Sequence, residues 1–197
     1  MALSEAFRAR AGEIKARYPM ARSAMMPLLY LAQAEEGAIT RDGIRAVAEA
    51  LGLHTAEVDA VVSFYTMYRP APCGRYVLAI CTNLSCALAG ARELIDQAVD
   101  MLGERARHDV SEDGLVSLHE EECLAACDAA PVVQVNFANY DRVTPEGLRE
   151  IVDGLRSGNP PRPSRGPFPG DLQATSRVLA GLGGPVEGAQ PAEGGDG

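Results

Sequence analysis

Apolar side chains recur at helical spacing in four separate stretches of the first 70 residues. A repeat of three or four positions is typical of helices that bury one face. The third stretch is bracketed by Thr40, a capping hydroxyl, and Gly52, a helix-ending glycine. The four apolar faces are Phe7, Ala11, Ile14 and Tyr18; Leu28, Leu31 and Ala32; Ile44, Val47 and Leu51; and Val58, Val61, Val62 and Tyr65. We therefore predict a small helical bundle over residues 1–70.

The apolar pattern changes after residue 71 to short runs that are typical of strands. Strands are predicted at residues 76–80, 115–119, 132–135 and 140–143, and helices at 86–102 and 145–155. The second helix has a strong start, because Thr144 offers a capping hydroxyl and Pro145 fits the first helical position. A strand–helix–strand unit followed by a hairpin and a closing helix is a thioredoxin-like arrangement. The fold class is thus α/β, with the second domain over residues 71–157.

Proline and glycine dominate from residue 158 onward. The apolar period is lost there, apart from a brief run at Val178, Leu179 and Ala180. Such a composition buries too little apolar surface to offset the entropy of ordering the chain. Residues 158–197 are therefore predicted to form a disordered tail.

Charge argues against nucleic acid as a partner. The chain carries a net charge of -9, and residues 71–157 hold seven basic and fifteen acidic side chains. The pattern of residues 48–61 resembles a helix-turn-helix motif, so the hypothesis of a DNA-binding regulator has to be considered. A recognition helix presents basic or amide side chains to DNA, whereas residues 55–68 contain Glu57 and Asp59 and no basic residue. We interpret this helix as a packing element.

The sequence shows no membrane-targeting segment. It has neither a run of 18 apolar residues nor a basic stretch followed by an apolar signal region. We expect a cytoplasmic protein that does not insert directly into a membrane.

Four of the five cysteines form two closely spaced pairs, Cys81 with Cys86 and Cys123 with Cys127, separated by 36 residues. Two loops that each supply two thiolates suit a 2Fe-2S cluster, which takes two thiolates per iron. Structural zinc also takes four thiolates but favours tighter Cys-x2-Cys pairs. Disulfides are disfavoured because nothing marks the chain as secreted. The spacing favours iron and sulfur, with a zinc-stabilised interaction module as the alternative.

The remaining candidate ligands do not extend this set. Cys73 has no partner at ligand spacing, and we expect it to be a connector thiol without function. A Rieske-type cluster requires two histidine ligands, but His54, His108 and His119 do not repeat the pairing of cysteine with histidine.

Four segments together resemble a known family. Residues 64–68 (FYTMY), 81–86 (CTNLSC), 122–127 (ECLAAC) and 130–136 (APVVQVN) are similar to the thioredoxin-like 2Fe-2S subunit, the E subunit, of bacterial NADH-quinone oxidoreductase, respiratory complex I. Related subunits serve NAD-dependent formate dehydrogenases and NAD-reducing hydrogenases, which remain alternatives. The resemblance covers about residues 5–157.

The resemblance implies a site, a cofactor and partners. Cys81, Cys86, Cys123 and Cys127 would hold one 2Fe-2S cluster per chain. FMN and NADH would lie on the partner flavin/NADH-binding subunit, with an adjacent iron-sulfur subunit as a second neighbour. The chain would exchange one electron with the FMN, within the peripheral arm of a membrane-bound complex, and would not be catalytic alone.

Two further expectations concern the surroundings of the cluster. The acidic run at residues 120–122 precedes the third cysteine, and negative charge there opposes reduction and favours a low potential. The bundle carries eight basic and eight acidic residues within residues 1–70. This balance and the aromatic Phe64, Tyr65 and Tyr68 suit an interface better than the acidic second domain does, so we expect the bundle to dock on the partner subunit. The three aromatics equally suit a core.

Overall fold

The computed structural model describes residues 5–183. The bundle contains α1 (Glu5–Lys15), α2 (Met25–Glu36), α3 (Arg41–Leu51) and α4 (Thr55–Phe64), with a short 3₁₀ turn (Ala21–Ala24) before α2. Each corresponds to one of the four predicted apolar faces. Capping side chains fix the starts of α3 and α4. Thr40 Oγ1 accepts a hydrogen bond from Gly43 N at 3.0 Å. The α4 cap is His54, whose Nδ1 accepts from Ala56 N and whose backbone N–H donates to the Glu57 carboxylate.

Helix α2 lies at the centre of the bundle. Eight of its twelve residues are buried, which is the property of a helix surrounded by other elements. Its neighbours are α1, α3 and, from the far end of the chain, α8 (Leu172–Leu179). Tyr68 packs against Tyr30 of α2 with ring centroids 5.1 Å apart, so this tyrosine belongs to the core.

The second unit is built on a four-stranded sheet. Its strands are β1 (Tyr76–Cys81), β2 (Val116–Glu121), β3 (Val133–Val135) and β4 (Ala138–Tyr140), in the order β2-β1-β3-β4. Strand β1 is parallel to β2 and antiparallel to β3. Helices α5 (Leu84–Leu88), α6 (Ala91–Leu102) and α7 (Pro145–Ser157) complete the unit. All six residues of β1 are buried, as expected for a strand covered on both faces.

Two predicted boundaries in this unit were wrong. The helix predicted at residues 86–102 is two helices, because Gly90 adopts φ 97 and ends the first one. The last strand begins earlier than predicted, because Asn136 (φ 43) and Phe137 (φ 74) form a two-residue turn. Two consecutive positive φ values are the signature of the tight hairpin turn that matches strand twist.

The prediction of disorder was wrong for residues 158–183. Residues 159–183, which we call the strap, run along β4, where Asn139 and Arg165 form a β-bridge. It then forms α8, whose Leu172 and Ser176 are 3% and 0% exposed. The strap was missed because its single helix is short and buries small polar side chains, so its order comes from tertiary packing. The rest of the predicted tail, residues 184–197, lies outside the described residues.

Across residues 5–183, every helix is too short or too polar to cross a bilayer.

Candidate metal centre

The first cysteine pair lies where the central strand meets a helix. Cys81 is the last residue of β1, and Cys86 lies on α5; they are 2% and 1% exposed. The intervening turn is stabilised by Asn83, whose side-chain oxygen accepts a hydrogen bond from Leu84 N at 2.9 Å. The two thiols are within hydrogen-bonding reach of each other. The strand-to-helix turn predicted from the sequence is confirmed.

The second pair lies on the loop that follows β2. Cys123 and Cys127 are exposed, and their thiols are close enough to interact. Ala125, between them, adopts φ 56, a conformation that is unfavourable for a residue with a Cβ atom. This geometry directs the Ala125 N–H at Cys123 Sγ, 3.3 Å away. The small side chains of this loop thus let a backbone amide approach sulfur.

The sheet places the two loops side by side. Cys81 is paired in register with Glu121 of the parallel neighbour β2, because the carboxyl ends of parallel strands lie at the same edge. Thr82 N donates to Glu121 O at 2.8 Å, and Cys81 Sγ approaches Glu122 O at 3.9 Å. Cys127 is close enough to interact electrostatically with Cys81 and Cys86.

The thiols disfavour one another's ionisation. Burial, followed by the hydrogen bond with Cys81, raises the pKa of Cys86 to about 11. The neighbouring Cys123 raises the pKa of Cys127. Four crowded sulfurs of this kind are suited to a cationic centre, which stabilises the thiolate form that binds metal.

Four thiols are the ligand set of more than one metal centre. In residues 5–183, no three or more histidine, cysteine or acidic side chains surround one point where a single ion could bind. Tetrahedral zinc requires four ligands around one ion, whereas a two-iron cluster takes two from each side. Four thiols suit either centre, and metal analysis separates the two.

Comparison with known proteins decides the family. The family model of the thioredoxin-like [2Fe-2S] ferredoxin matches residues 11–156. The chain belongs to this family.

The E subunit of NADH-quinone oxidoreductase from Mycobacterium tuberculosis is 50% identical over 173 residues, covering 87% of this chain and 68% of that protein. Subunit 2 of the enzyme from Thermus thermophilus is 44% identical over 149 residues, covering 74% of this chain and 82% of that protein. The resemblance to the E subunit is thereby confirmed.

A solved structure supports the same fold. A chain of an NAD+-reducing [NiFe]-hydrogenase in the air-oxidized state superposes with a TM-score of 0.58 at 17% identity. The match covers 68% of this chain but spans only 23% of the hydrogenase chain. Since the identity is low, the superposition shows a shared fold alone.

Cys73 lies apart from the paired cysteines of the family. It is in the linker between α4 and β1, and burial raises the pKa of its thiol. Arg69 is the charged group that interacts with it. The structure places Cys73 with the linker, where the sequence predicted a connector thiol.

One polar group beside the site was missed by the sequence reasoning. His119 lies on β2, and burial together with the charge of Arg69 lowers its pKa to about 4. Arg69 Nε is itself buried and has no hydrogen-bond partner among the described residues. The sequence did contain a signal for His119. Ser117, His119 and Glu121 alternate along the strand, which places three polar side chains on one face of β2.

Proposed function

We propose that this chain is the electron-transfer subunit of an NADH-quinone oxidoreductase. In this proposal Cys81, Cys86, Cys123 and Cys127 hold one 2Fe-2S cluster, which exchanges one electron with the FMN of a partner NADH-binding subunit. The observation that carries the proposal is the convergence of two cysteine pairs at one edge of the sheet. Membership of a 2Fe-2S family, with relatives named as subunits of this oxidoreductase, supports it.

The two cysteine pairs differ in burial, so the two sides of the site are unequal. A 2Fe-2S cluster supplies one-electron redox chemistry when bound. Cys81 and Cys86 are buried against the core, whereas Cys123 and Cys127 face the surface. The buried pair excludes water from one side, and the exposed pair leaves the other side open to a redox partner.

Hydride chemistry is assigned to the partner because the site has no cradle for a dinucleotide. A Rossmann site needs a glycine-rich turn between a strand and the helix N-terminus. Here the turn after β1 consists of Thr82 and Asn83 and leads to a helix of five residues. We propose that FMN and NADH lie on the partner subunit, with a further iron-sulfur subunit adjacent, in an arm attached to the membrane part of the complex.

Metal analysis tests the cluster and its ligands. Anaerobically purified protein should contain two irons and two sulfides per chain, little zinc, and an S = 1/2 signal after dithionite. Replacing any of Cys81, Cys86, Cys123 or Cys127 by serine should impair the cluster. The matched control is Cys73→Ser, which should retain it. Stoichiometric zinc with no sulfide would support the interaction module instead.

Mixing the purified subunits tests the electron partner. The isolated chain should not be reduced by NADH, whereas addition of the FMN-loaded partner should permit reduction of the cluster. Reduction of the isolated chain by NADH would contradict the assignment of hydride chemistry to the partner.

One alternative parent complex is an NAD-reducing hydrogenase, and the superposition, which shows the fold alone, does not favour it. The 50% and 44% identities to the quinone oxidoreductase subunits weigh against it. Purification of the native complex decides the matter, because NADH-dependent quinone reduction and hydrogen-dependent NAD reduction are separate assays.

A further inference from the structure

The loop that carries the second cysteine pair has little regular structure of its own. We call residues 122–132, between β2 and β3, the cysteine loop. Cys127 begins a 3₁₀ helix of three residues (Cys127–Ala129), and no side chain in the described part of the chain caps its start. So short a helix is not stable alone. Contacts with other segments must therefore hold Cys127 in place.

Two other segments bind the turn that Cys127 begins. Arg142, just beyond β4, donates from Nη2 to Asp128 O at 3.3 Å and from its backbone N–H to Ala129 O at 2.9 Å. The Asp128 carboxylate binds the strap instead, with Arg165 Nη2 lying 2.8 Å from Oδ2. The sheet thus holds the backbone of this turn, and the strap holds a side chain.

Arg165 is itself anchored on the sheet. Its backbone N–H donates to Asn139 O at 3.1 Å, and Asn139 N donates back to Arg165 O at 2.8 Å. Its Nε donates to Asp141 Oδ2 at 2.8 Å, and Asp141 N donates to the neighbouring Ser164 Oγ at 3.0 Å. A guanidinium group is planar and rigid. Because one edge is fixed on Asp141, the other edge is aimed at Asp128.

The burial of Asp141 distinguishes this arrangement from an ordinary surface ion pair. Water screens exposed ion pairs, so most of them stabilise a protein little. The Asp141 side chain, however, is only 13% exposed, and its Oδ1 has no hydrogen-bond partner among the described residues. Moving Arg165 away would leave this carboxylate buried without a counter-charge, which is unfavourable. The guanidinium group is therefore held in place whether or not Asp128 binds it.

The strap lies outside the region that the family model matches. That region ends at residue 156, and Arg165 follows it in the chain. Membership of the family therefore does not imply a contact between the strap and the cysteine loop. The evidence for a role of this contact is its geometry.

We propose that Arg165 is a positioning residue for the cluster, because it holds Asp128 and thereby keeps Cys127 where it can bind iron. Cys127 is exposed, so water and chelators reach this ligand directly. A looser cysteine loop would let the ligand dissociate more often. The inference rests on the proposed function for the role of Cys127 as a ligand. It adds that the strap stabilises the metal centre as well as the bundle.

Loss of iron from full-length holoprotein tests this role. With an iron chelator in excess, well below the melting temperature, Arg165→Gln should lose iron about two- to fivefold faster than the wild type, since the exposed contact with Asp128 is weak. Amide hydrogen exchange should also be faster across residues 123–131, and the S = 1/2 signal should be broader. Arg165→Lys should give a smaller increase, because an ammonium group lacks the planar fork that binds both carboxylates.

A second variant breaks the same contact from the other side. Asp128→Asn removes the carboxylate and leaves the pair of Arg165 with Asp141 intact, so this variant is informative even if Arg165→Gln folds poorly. It should reproduce the faster loss of iron. Adding Arg165→Gln to Asp128→Asn should accelerate the loss little further, since both substitutions remove one contact. Fully additive effects would mean that Arg165 does not act through Asp128, and would overturn the proposal.

Two controls separate positioning from charge and from the stability of the strap. Arg162→Gln removes the same charge from the strap, because Arg162 is exposed and forms no ion pair within 4.0 Å among residues 5–183. Ser176→Ala removes the hydrogen bond of α8 with Gln33 and leaves the cysteine loop untouched. Both variants should lose iron at the wild-type rate, although Ser176→Ala should melt at a lower temperature.

Three results have distinct meanings. Equal rates of iron loss and of amide exchange in Arg165→Gln and Arg162→Gln would show that Arg165 does not hold the loop. Iron loss in Ser176→Ala as fast as in Arg165→Gln would assign the effect to the stability of the strap and overturn the positioning role. Wild-type protein that binds no iron and sulfide would instead contradict the proposed function. Amide exchange across the cysteine loop would still test whether Arg165 holds Asp128.

Discussion

Gln33 and Ser176 form a buried hydrogen bond, with Nε2 and Oγ 3.1 Å apart, although they are 143 residues apart in sequence. Gln33 is 0% exposed. Its amide oxygen also accepts from Arg69 N at 2.8 Å, and Nε2 lies 3.5 Å from Met67 O. One glutamine therefore connects the centre of the bundle, the linker and the strap.

Removing the serine hydroxyl should destabilise the protein. Ser176→Ala leaves Gln33 Nε2 with only the long contact to Met67 O, which should cost about 1–2 kcal/mol. For a chain of this size the melting temperature should fall by about 2–8 °C. The matched control is Ser63→Ala, because Ser63 is exposed and bonds only within α4; it should change the stability by less than about 0.5 kcal/mol.

Truncation should distinguish the strap from a dispensable tail. A chain ending at residue 158 loses the buried Leu172 and Ala180 and leaves Gln33 short of a partner. Loss of this burial should cost on the order of 3 kcal/mol or more. Thermal melting should show a clear fall in midpoint relative to a chain ending at residue 183, which keeps the strap. Equal midpoints for the two truncations would mean that α8 adds nothing to stability.

Neutralising Glu122 should raise the reduction potential of the cluster. Its backbone oxygen lies 3.9 Å from Cys81 Sγ, and its carboxylate is exposed, so water screens its charge. A charge about 8 Å away at the dielectric constant of water changes a one-electron potential by on the order of 20 mV. Redox titration of Glu122→Gln should show this increase. Glu112→Gln is the control, since Glu112 precedes the opposite end of β2 and should have a smaller effect.

The low pKa of His119 should make part of the stability depend on pH. The native pKa is about 4, below the ordinary value of 6.5, so the unfolded chain takes up the proton first as pH falls. Stability from this group is therefore fully present above pH 6.5 and is lost between pH 6.5 and about 4. His119→Gln cannot take up the proton. The wild type should lose stability relative to this variant over that range, as followed by denaturant unfolding; a constant difference would refute the prediction.

Much of the fold could be predicted from sequence because it depends on local patterns. The helices α1 to α4 and strand β1 follow from apolar periodicity, and α7 follows from Thr144 and Pro145. The cysteine pairs could be found because two ligands from one loop must be close in sequence. The assignment of all four thiols to one cluster stays a prediction for the metal analysis to test.

The features that were missed depend on long-range contacts. The order of the strap depends on α2, which lies more than 130 residues earlier. No local sequence pattern indicates this contact between α8 and α2. Arg69 and His119 meet only because the linker passes over one face of β2. The division of the predicted helix at Gly90 had a local signal, a glycine within a helical pattern. The apolar positions on both sides of this glycine nevertheless indicated one continuous helix.

The strap has a consequence for how the chain is made. Phe7 and Ala180 belong to the same hydrophobic core, so the bundle leaves the ribosome before the segment that completes its core. At about 5–20 residues per second, about 110 residues of further synthesis take roughly 5–20 s. Throughout that interval the nascent bundle exposes the face of α2 that α8 later covers. Until α8 emerges, this apolar face is open to chaperones and to transient contacts within the chain.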